Sequence, residues 1–310
     1  MHTTTSPSPY TEALDALADQ IGHTPLYEIK RAFHKPGVRL FAKLEWMQMG
    51  QSVKARPAFQ MIQAAVLSGE WQPGLQMLDA TSGNTGIAYA SVCAHLGIPL
   101  TICLPENASE ARKRMLKALG AELILTSPLE GTDGAQAHAA QLVADHPGKY
   151  LYLDQYNNPN NWRAHYVHTA REVYNQTQGT LTHFIVGAGT SGTLVGTGRK
   201  LKEIHDDIRI IALHPEGALH GLEGWKDMAT AKVPGIYMPE IADEHREVST
   251  EDAYDWVVKL ARTEGLLVSP SSGANLAGAV KLAEEIDEGV IVTVFPDDAS
   301  KYAEVMEQLF

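Results

Sequence analysis

The chain has 310 residues, 44% of them hydrophobic and 20% charged, with a formal net charge of −12. That length is about twice the usual single domain, so two domains or one large α/β unit are expected. The acidic balance excludes a nucleic-acid binder, which needs a basic surface, and points to a small-molecule partner. Cys93 and Cys103 are the only cysteines and fall in a predicted helix and a predicted strand, which leaves neither a disulfide framework nor a Cys-x-x-Cys pair. A reducing cytoplasmic setting is therefore expected. Met1 to Tyr10 is polar and rich in Pro, Ser and Thr, unlike a secretory signal, and no stretch approaches the roughly 18 apolar residues that span a membrane.

Apolar β-rich runs alternate with amphipathic stretches, the pattern of parallel sheets covered by helices on both faces. A helix is expected to start beside Lys54. Strands are then predicted at Gln76 to Thr81, Leu100 to Leu104 and Glu122 to Thr126. Helices lie between and after them at Asn84 to Leu96, Ser109 to Leu119 and Thr132 to Ala144, stopped by Gly97, Gly120 and Pro147. A second series follows the turn cluster Asn157-Asn158-Pro159-Asn160-Asn161. It runs through strand His183 to Val186, helix Thr193 to Ile204, strand Arg209 to Leu213, helices Thr250 to Glu264 and Ala274 to Ile286, and strand Val290 to Phe295. The pattern predicts two doubly wound α/β domains facing one cleft, with ligands held outside the carboxyl ends of the strands.

Three polar glycine loops fall at such ends. Thr81-Ser82-Gly83-Asn84-Thr85-Gly86 opens the helix after the first of these strands, where unpaired backbone N–H groups and the helix dipole favour an anion. Gly187-Ala188-Gly189-Thr190-Ser191-Gly192-Thr193 is the best phosphate cradle, because its glycines admit an anion to the backbone while three hydroxyls add donors. It lacks the Gly-Lys-Ser/Thr ending of a nucleoside-triphosphate loop. Its spacing fits a dinucleotide fingerprint, but no acidic residue stands at a strand end about twenty residues on. Ser269-Pro270-Ser271-Ser272-Gly273-Ala274-Asn275 precedes the last long helix. A chemical handle stands at Gln51-Ser52-Val53-Lys54-Ala55-Arg56-Pro57: a lysine at a helix start feels the positive end, and burial would further favour the neutral amine suited to Schiff-base chemistry.

With these residues in view, the chain resembles the cysteine synthase family of fold type II pyridoxal-phosphate enzymes along nearly its whole length. The cues are Ile21-Gly22-His23-Thr24-Pro25-Leu26, Lys43-Leu44-Glu45, Ser52-Val53-Lys54, Thr81 to Gly86, Leu104-Pro105-Glu106, Gly189 to Thr193, Ser271 to Ala274 and Pro296-Asp297. Leu153 to Pro159 and His165-Tyr166 are similar to the cysteine synthase B and O-phosphoserine sulfhydrylase branch. The resemblance implies residues 1–42 packing on a large domain, a small mobile substrate-binding domain over 43–155, and a cofactor-phosphate-binding domain over 156–310. It also implies a homodimer.

The same resemblance implies that Lys54 binds pyridoxal 5′-phosphate as a Schiff base and shuttles the substrate's α-proton. Gly189, Thr190, Ser191, Gly192 and Thr193 would hold the cofactor phosphate, Asn84 the 3′-oxygen, and Ser271 the pyridine nitrogen as a neutral partner. Thr81, Ser82, Gly83, Thr85 and Gln155 would bind the substrate carboxylate. The implied reaction is β-replacement on O-acetylserine or O-phosphoserine by sulfide or another sulfur nucleophile, with the helix from Ser109 as the moving element. Lys226 aligns loosely with an arginine of the branch; pointing into the cleft it would meet a phosphate leaving group or an anionic sulfur source, and otherwise it is a solvated loop lysine.

Gln51 stands where the family has glycine and Ala55 where it has aspartate, so the turn before the lysine is expected to differ in shape; Trp46, Met47 and Met49 are bulkier than usual there. No metal site is expected: His165 and His168 are read as helix surface or packing, His214 and His220 as isolated, Asp297 as a structural helper, and Arg112-Lys113-Arg114 as a solvated face. The chain lacks a heme-binding Cys-Pro start and a domain after its last predicted strand, which argues against a cystathionine β-synthase. A cysteine synthase, a related enzyme with another nucleophile or an eliminating or deaminating activity, and a catalytically weak paralogue remain open.

Overall fold

The computed structural model describes residues 9–310; most of the polar leader, residues 1–8, lies outside them. The chain divides into two compact units, one formed by the stretch ending at Gly22 with Lys54–Asp154, the other by His23–Val53 with Gln155–Phe310.

The first unit is a four-stranded parallel sheet of β3 (Gln76–Ala80), β4 (Leu100–Pro105), β5 (Glu122–Thr126) and β6 (Tyr150–Tyr152) in the order β5-β4-β3-β6. Its helices are α1 (Pro9–Ala18), α2 (Ala55–Leu67), α3 (Asn84–Leu96), α4 (Glu110–Ala118) and α5 (Gly131–Asp145). Every residue of β4 is buried, as an inner parallel strand covered on both faces requires. Gly97 ends α3 at φ +65°, where its N–H and that of Ile98 close onto Ala94 O and Cys93 O; a left-handed residue with no Cβ fits this cap. Cys93 and Cys103 are buried and unbridged, and desolvation pushes both thiols up to about 12.

The second unit carries a six-stranded sheet of β1 (Leu26–Ile29), β2 (Val38–Leu44), β7 (His183–Gly187), β8 (Arg209–Pro215), β9 (Glu244–Val248) and β10 (Gly289–Phe295). The order is β1-β2-β10-β7-β8-β9, parallel throughout except for the β1–β2 hairpin. Its helices are α6 (Asn160–Ala164), α7 (Ala170–Gln176), α8 (Gly192–Ile204), α9 (Thr250–Thr263), α10 (Pro270–Glu285) and α11 (Ala303–Leu309), with a π-helical turn at His165–Thr169 joining α6 to α7. Strand side chains alternate between two cores: Leu40, Ala42, Ile185 and Ile291 enter one with α9 and α10, while Phe41, Phe184, Val186 and Val292 enter the other with α8.

Several expectations change here. The boundary at residue 42 falls inside β2, which is tied to β10 and β1, so residues 43–53 stay with the six-stranded sheet. Conversely α1 belongs to the first unit, where it packs on α2 and α3. The asparagine cluster is not only a turn: Asn158 Oδ1 accepts from Asn160 N at 3.0 Å and α6 starts inside it. Helix α10 begins four residues before Ala274, because Ser269 caps it through the Ser272 N–H and Pro270 suits its first turn. The solvated face assigned to residues 112–114 holds for Arg114, which is exposed, and is corrected at the other two. Arg112 and Lys113 are buried, and Lys113 Nζ donates to the Glu106 carbonyl and, at 2.7 Å, to Glu110.

The second unit also buries charge. Lys43 Nζ, 0% exposed, donates to Thr24 O at 2.6 Å and pairs with Glu172 at 2.7 Å, while Thr24 Oγ1 donates to the buried Glu45 at 2.7 Å. Gln48 Nε2 then links Glu45 to the carbonyl of Ser52 at 3.2 Å, holding the turn that leads to Lys54. Truncating one member strands the others' charge, so Lys43→Ala is expected to cost about 3–5 kcal/mol in urea unfolding; a loss of under about 1 kcal/mol would show the network to be solvated.

Candidate active site

In the first unit, β3 delivers the polar loop directly into α3. Thr81 N donates to Cys103 O at 3.0 Å, and Gly83 N donates back to Thr81 Oγ1 at 3.2 Å, so the loop is pinned at its base. Gly83 caps α3 in an extended conformation (φ −121°, ψ −152°), leaving the helix's first amides at the loop. Gly86 allows the close packing of the first turn: a Cβ there would lie 3.0 Å from Thr81 and 3.3 Å from Leu116. Thr81, Ser82, Gly83, Asn84 and Thr85 are thus brought together on one helix N-terminus. Lys54 is the N-cap residue of α2, half-buried, with its carbonyl accepting from Ala58 N at 3.0 Å.

In the second unit, the loop after β7 is held on three sides. Gly187 N donates to Asn275 Oδ1 at 2.7 Å, and Asn275 Nδ2 donates to Val294 O at 2.6 Å, which clamps the strand end to α10 and β10. Lys226 N donates to Ala188 O at 2.9 Å. A Cβ at Gly187 would overlap the Trp225 ring, and one at Gly189 the carbonyl of Gly224. Ser191 caps α8 in the left-handed region, φ +71°, and is 3% exposed; its Oγ is buried with no hydrogen-bond partner among the described residues. An orphaned hydroxyl at a helix N-terminus inside a glycine loop fits a bound phosphate, whose oxygens would satisfy it.

Ser271 sits in the first turn of α10, buried, its Oγ 3.0 Å from Ser269 Oγ. Ser272 Oγ donates to Asp297 O at 3.0 Å, and Tyr302 OH donates to Asp297 Oδ2 at 2.7 Å, so Asp297 braces this end of the sheet rather than forming an acid pair with Asp298. Gln155 is buried and its carbonyl accepts from Asn161 Nδ2 at 2.6 Å. Lys226 is half-buried with Nζ 5.0 Å from the centre of the Tyr156 ring, on the segment tied to Ala188.

Gln51 occupies φ +50° directly after Gly50 at φ +80°, so the chain keeps a glycine-type turn despite a Cβ. Lys301 Nζ holds it by donating to Gln51 O at 2.7 Å, and Val53 N donates to Pro296 O at 2.8 Å. Trp46 stacks on Phe295, 6.5 Å between ring centres. Sequence reasoning passed over Asn161, His165 and Asn275 as site residues; the polar residues in otherwise helical stretches were the available signal. His165 is buried whereas His168 is exposed, so the two rings do not share a face.

His214, expected to be isolated, is paired: its Nε2 lies 3.0 Å from Nδ1 of His245, with the rings stacked at 5.3 Å. Burial, then the His245 charge, holds His214 below its ordinary value; burial alone does most of the same for His220 and His183.

A family model described as pyridoxal-phosphate dependent enzyme matches residues 17–297, and the chain belongs to this family. Its cofactor is pyridoxal phosphate. Among curated relatives, the chain is 46% identical over 301 residues to a cysteine synthase of Aquifex aeolicus (strain VF5), covering 95% of this chain and 92% of that one. It is 36% identical over 291 residues to cysteine synthase B of Escherichia coli (strain K12), covering 93% and 94%. The crystal structure of a cysteine synthase from Entamoeba histolytica superposes with a TM-score of 0.88 at 32% identity, covering 100% of this chain and 98% of that one. The fold is that of the fold type II pyridoxal-phosphate enzymes.

Because the folded chain disfavours charged His214, the unfolded chain takes up more protons below the ordinary histidine value, and stability present above about 6.5 is lost as pH falls. Urea midpoints measured from pH 8 to pH 5 are expected to fall less steeply in His214→Gln than in the parent; parallel profiles would remove His214 from the acid response.

Proposed function

We propose that the chain catalyses β-replacement on an activated L-serine, O-acetylserine or O-phosphoserine, with sulfide or another sulfur nucleophile, giving L-cysteine or an S-substituted cysteine. The observation that carries this reading is the buried, unpartnered Ser191 hydroxyl in the glycine loop at the start of α8, in a chain of this family. Pyridoxal phosphate, when bound, supplies the electron sink that lets a substrate lose its α-proton and its β-substituent.

The chain's residues do the rest. Lys54 would hold the cofactor covalently, and its Nζ would carry the substrate's α-proton. Gly189, Thr190, Ser191, Gly192 and Thr193 hold the phosphate through backbone N–H groups and hydroxyls. Asn84 meets the 3′-oxygen, and Ser271 meets the pyridine nitrogen. A hydroxyl there does not fix a proton on the ring as a carboxylate would, which restrains the sink and suits elimination at the β-carbon. Thr81, Ser82, Gly83 and Thr85 at the α3 N-terminus, with Gln155, bind the substrate α-carboxylate, whose binding energy is available to close the site against water. The helix starting near Ser109 is the element we expect to move. A homodimer in the cytoplasm belongs to the same reading. In support of a reducing compartment, both thiols are unbridged; no helix among the described residues is long and apolar enough to cross a membrane.

Lys226 is the candidate contact for the donor's leaving group. A lysine offers a point charge without arginine's fork, so its discrimination is modest.

Lys54→Ala is expected to lose about 10³-fold or more in turnover with O-acetylserine and sulfide, together with the visible absorbance of the covalently held cofactor; full activity would overturn the role given to Lys54. Lys226→Ala is expected to raise KM for O-phosphoserine several-fold more than KM for O-acetylserine, since only the former leaves as a dianion, about one hydrogen-bonded charge contact being lost. Equal rises in a donor-by-acceptor activity matrix would dissociate Lys226 from donor choice.

A further inference from the structure

Behind the phosphate loop, α6 and the π-helical turn approach α8 along its glycine edge. A Cβ at Gly192 would overlap Asn161 Oδ1, and one at Gly196 would overlap Trp162 O and press on His165. These two glycines, one helical turn apart, let two buried side chains reach the loop's hydroxyls from behind. Asn161, 2% exposed, places Nδ2 3.3 Å from Thr190 Oγ1 while the same nitrogen donates to Gln155 O. His165, 1% exposed, places Nε2 3.4 Å from Thr193 Oγ1 and Nδ1 2.9 Å from Thr169 Oγ1. The π turn spans His165–Thr169 and so carries both residues of the Nδ1 contact; a π turn inside a helix commonly marks a functional position.

We propose that Asn161 and His165 are positioning residues that set the direction of the Thr190 and Thr193 hydroxyls, so that both donate their single proton to a phosphate oxygen. A threonine hydroxyl has one proton and two lone pairs. The proposal assigns the His165 proton to Nε2, with Thr169 Oγ1 donating to Nδ1, so that Nε2 donates to Thr193 Oγ1 and the Thr193 proton is left for the phosphate. Asn161 Nδ2 has no lone pair to offer Thr190 and acts on it in the same sense. Each chain of donors runs one way, toward the anion, and such aligned bonds reinforce one another. The inference rests on the reading that residues 189–193 hold the cofactor phosphate.

The test titrates apoenzyme with pyridoxal phosphate and follows the 31P resonance of the bound cofactor, in Ser191→Ala, Thr193→Ala, His165→Phe, His165→Gln and the double variant His165→Phe/Thr193→Ala. Loss of one directed hydrogen bond predicts about tenfold weaker cofactor binding in His165→Phe and a shifted 31P resonance. His165→Gln, whose amide nitrogen can still donate, is expected to bind within about threefold of the parent, and His165→Phe to add little on top of Thr193→Ala, because both remove one chain of bonds. If Thr193→Ala weakens binding but His165→Phe leaves affinity and resonance unchanged, or if the two effects add in full, the positioning role is overturned while the phosphate assignment stands. If neither Thr193→Ala nor Ser191→Ala weakens binding, the phosphate assignment itself falls.

Discussion

The structure turns on the closeness with which backbone approaches backbone around residues 187–196. Four glycines there would each drive a Cβ into something fixed: an indole ring at Gly187, a carbonyl at Gly189, the Asn161 amide at Gly192 and the α6 backbone at Gly196. No other residue type permits these contacts, since even alanine adds the atom that collides. The approach brings the N-terminus of α8 and the hydroxyls of Thr190, Ser191 and Thr193 into one short loop, with Asn161 and His165 against two of those hydroxyls. Helix N-termini and backbone amides in glycine loops are, in general, the arrangement that lets an anion be held without a basic side chain.

Around that loop, buried polar groups do the work of alignment. Asn275 ties the end of β7 to β10 through one donor and one acceptor, and Ser269 gathers Ser271 and Ser272 at the start of α10. Lys43, Thr24, Glu45 and Gln48 form a second set, which fixes the turn before Lys54 from the sheet side. Such groups are costly to bury singly and stable only when their partners are complete. Here these partners are present, and they tie the turn before Lys54 and the end of β7 to their neighbouring strands and to α10. The left-handed Gln51 is tolerated for the same reason: Lys301 and the β10 end anchor the backbone on either side of it.

Much of the fold was legible in the residues. Strand β5 and helix α3 have the bounds that periodicity and stop signals predict, and β4, β7, β8 and β10 differ by one or two residues at an end, because continuous apolar runs between helices specify buried parallel strands. What escaped were α1 and the β1–β2 hairpin, although β2 is seven residues long and mostly buried, and the short strands β6 and β9. Strand β6 reads Tyr-Leu-Tyr, too short for a periodic signal, and β9 reads Glu-His-Arg-Glu-Val, a polar edge strand without an apolar run. The sequence pattern also ran Arg112 and Lys113 to the surface as a charge run; that both are buried, Lys113 Nζ bonding the Glu106 carbonyl, is a tertiary matter.

The sequence by itself determined the two glycine loops, the lysine at a helix start and the serine-rich entry to α10, because each needs a residue type that local backbone geometry or chemistry demands wherever the chain goes. Tertiary structure alone decided which strands share a sheet, that β2 belongs with β10 although more than two hundred residues separate them in the chain, and that Asn161 and His165 come to stand behind Thr190 and Thr193. Those are pairings between distant segments, set by which faces can bury against each other, and an asparagine or histidine carries no mark of the partner it will meet.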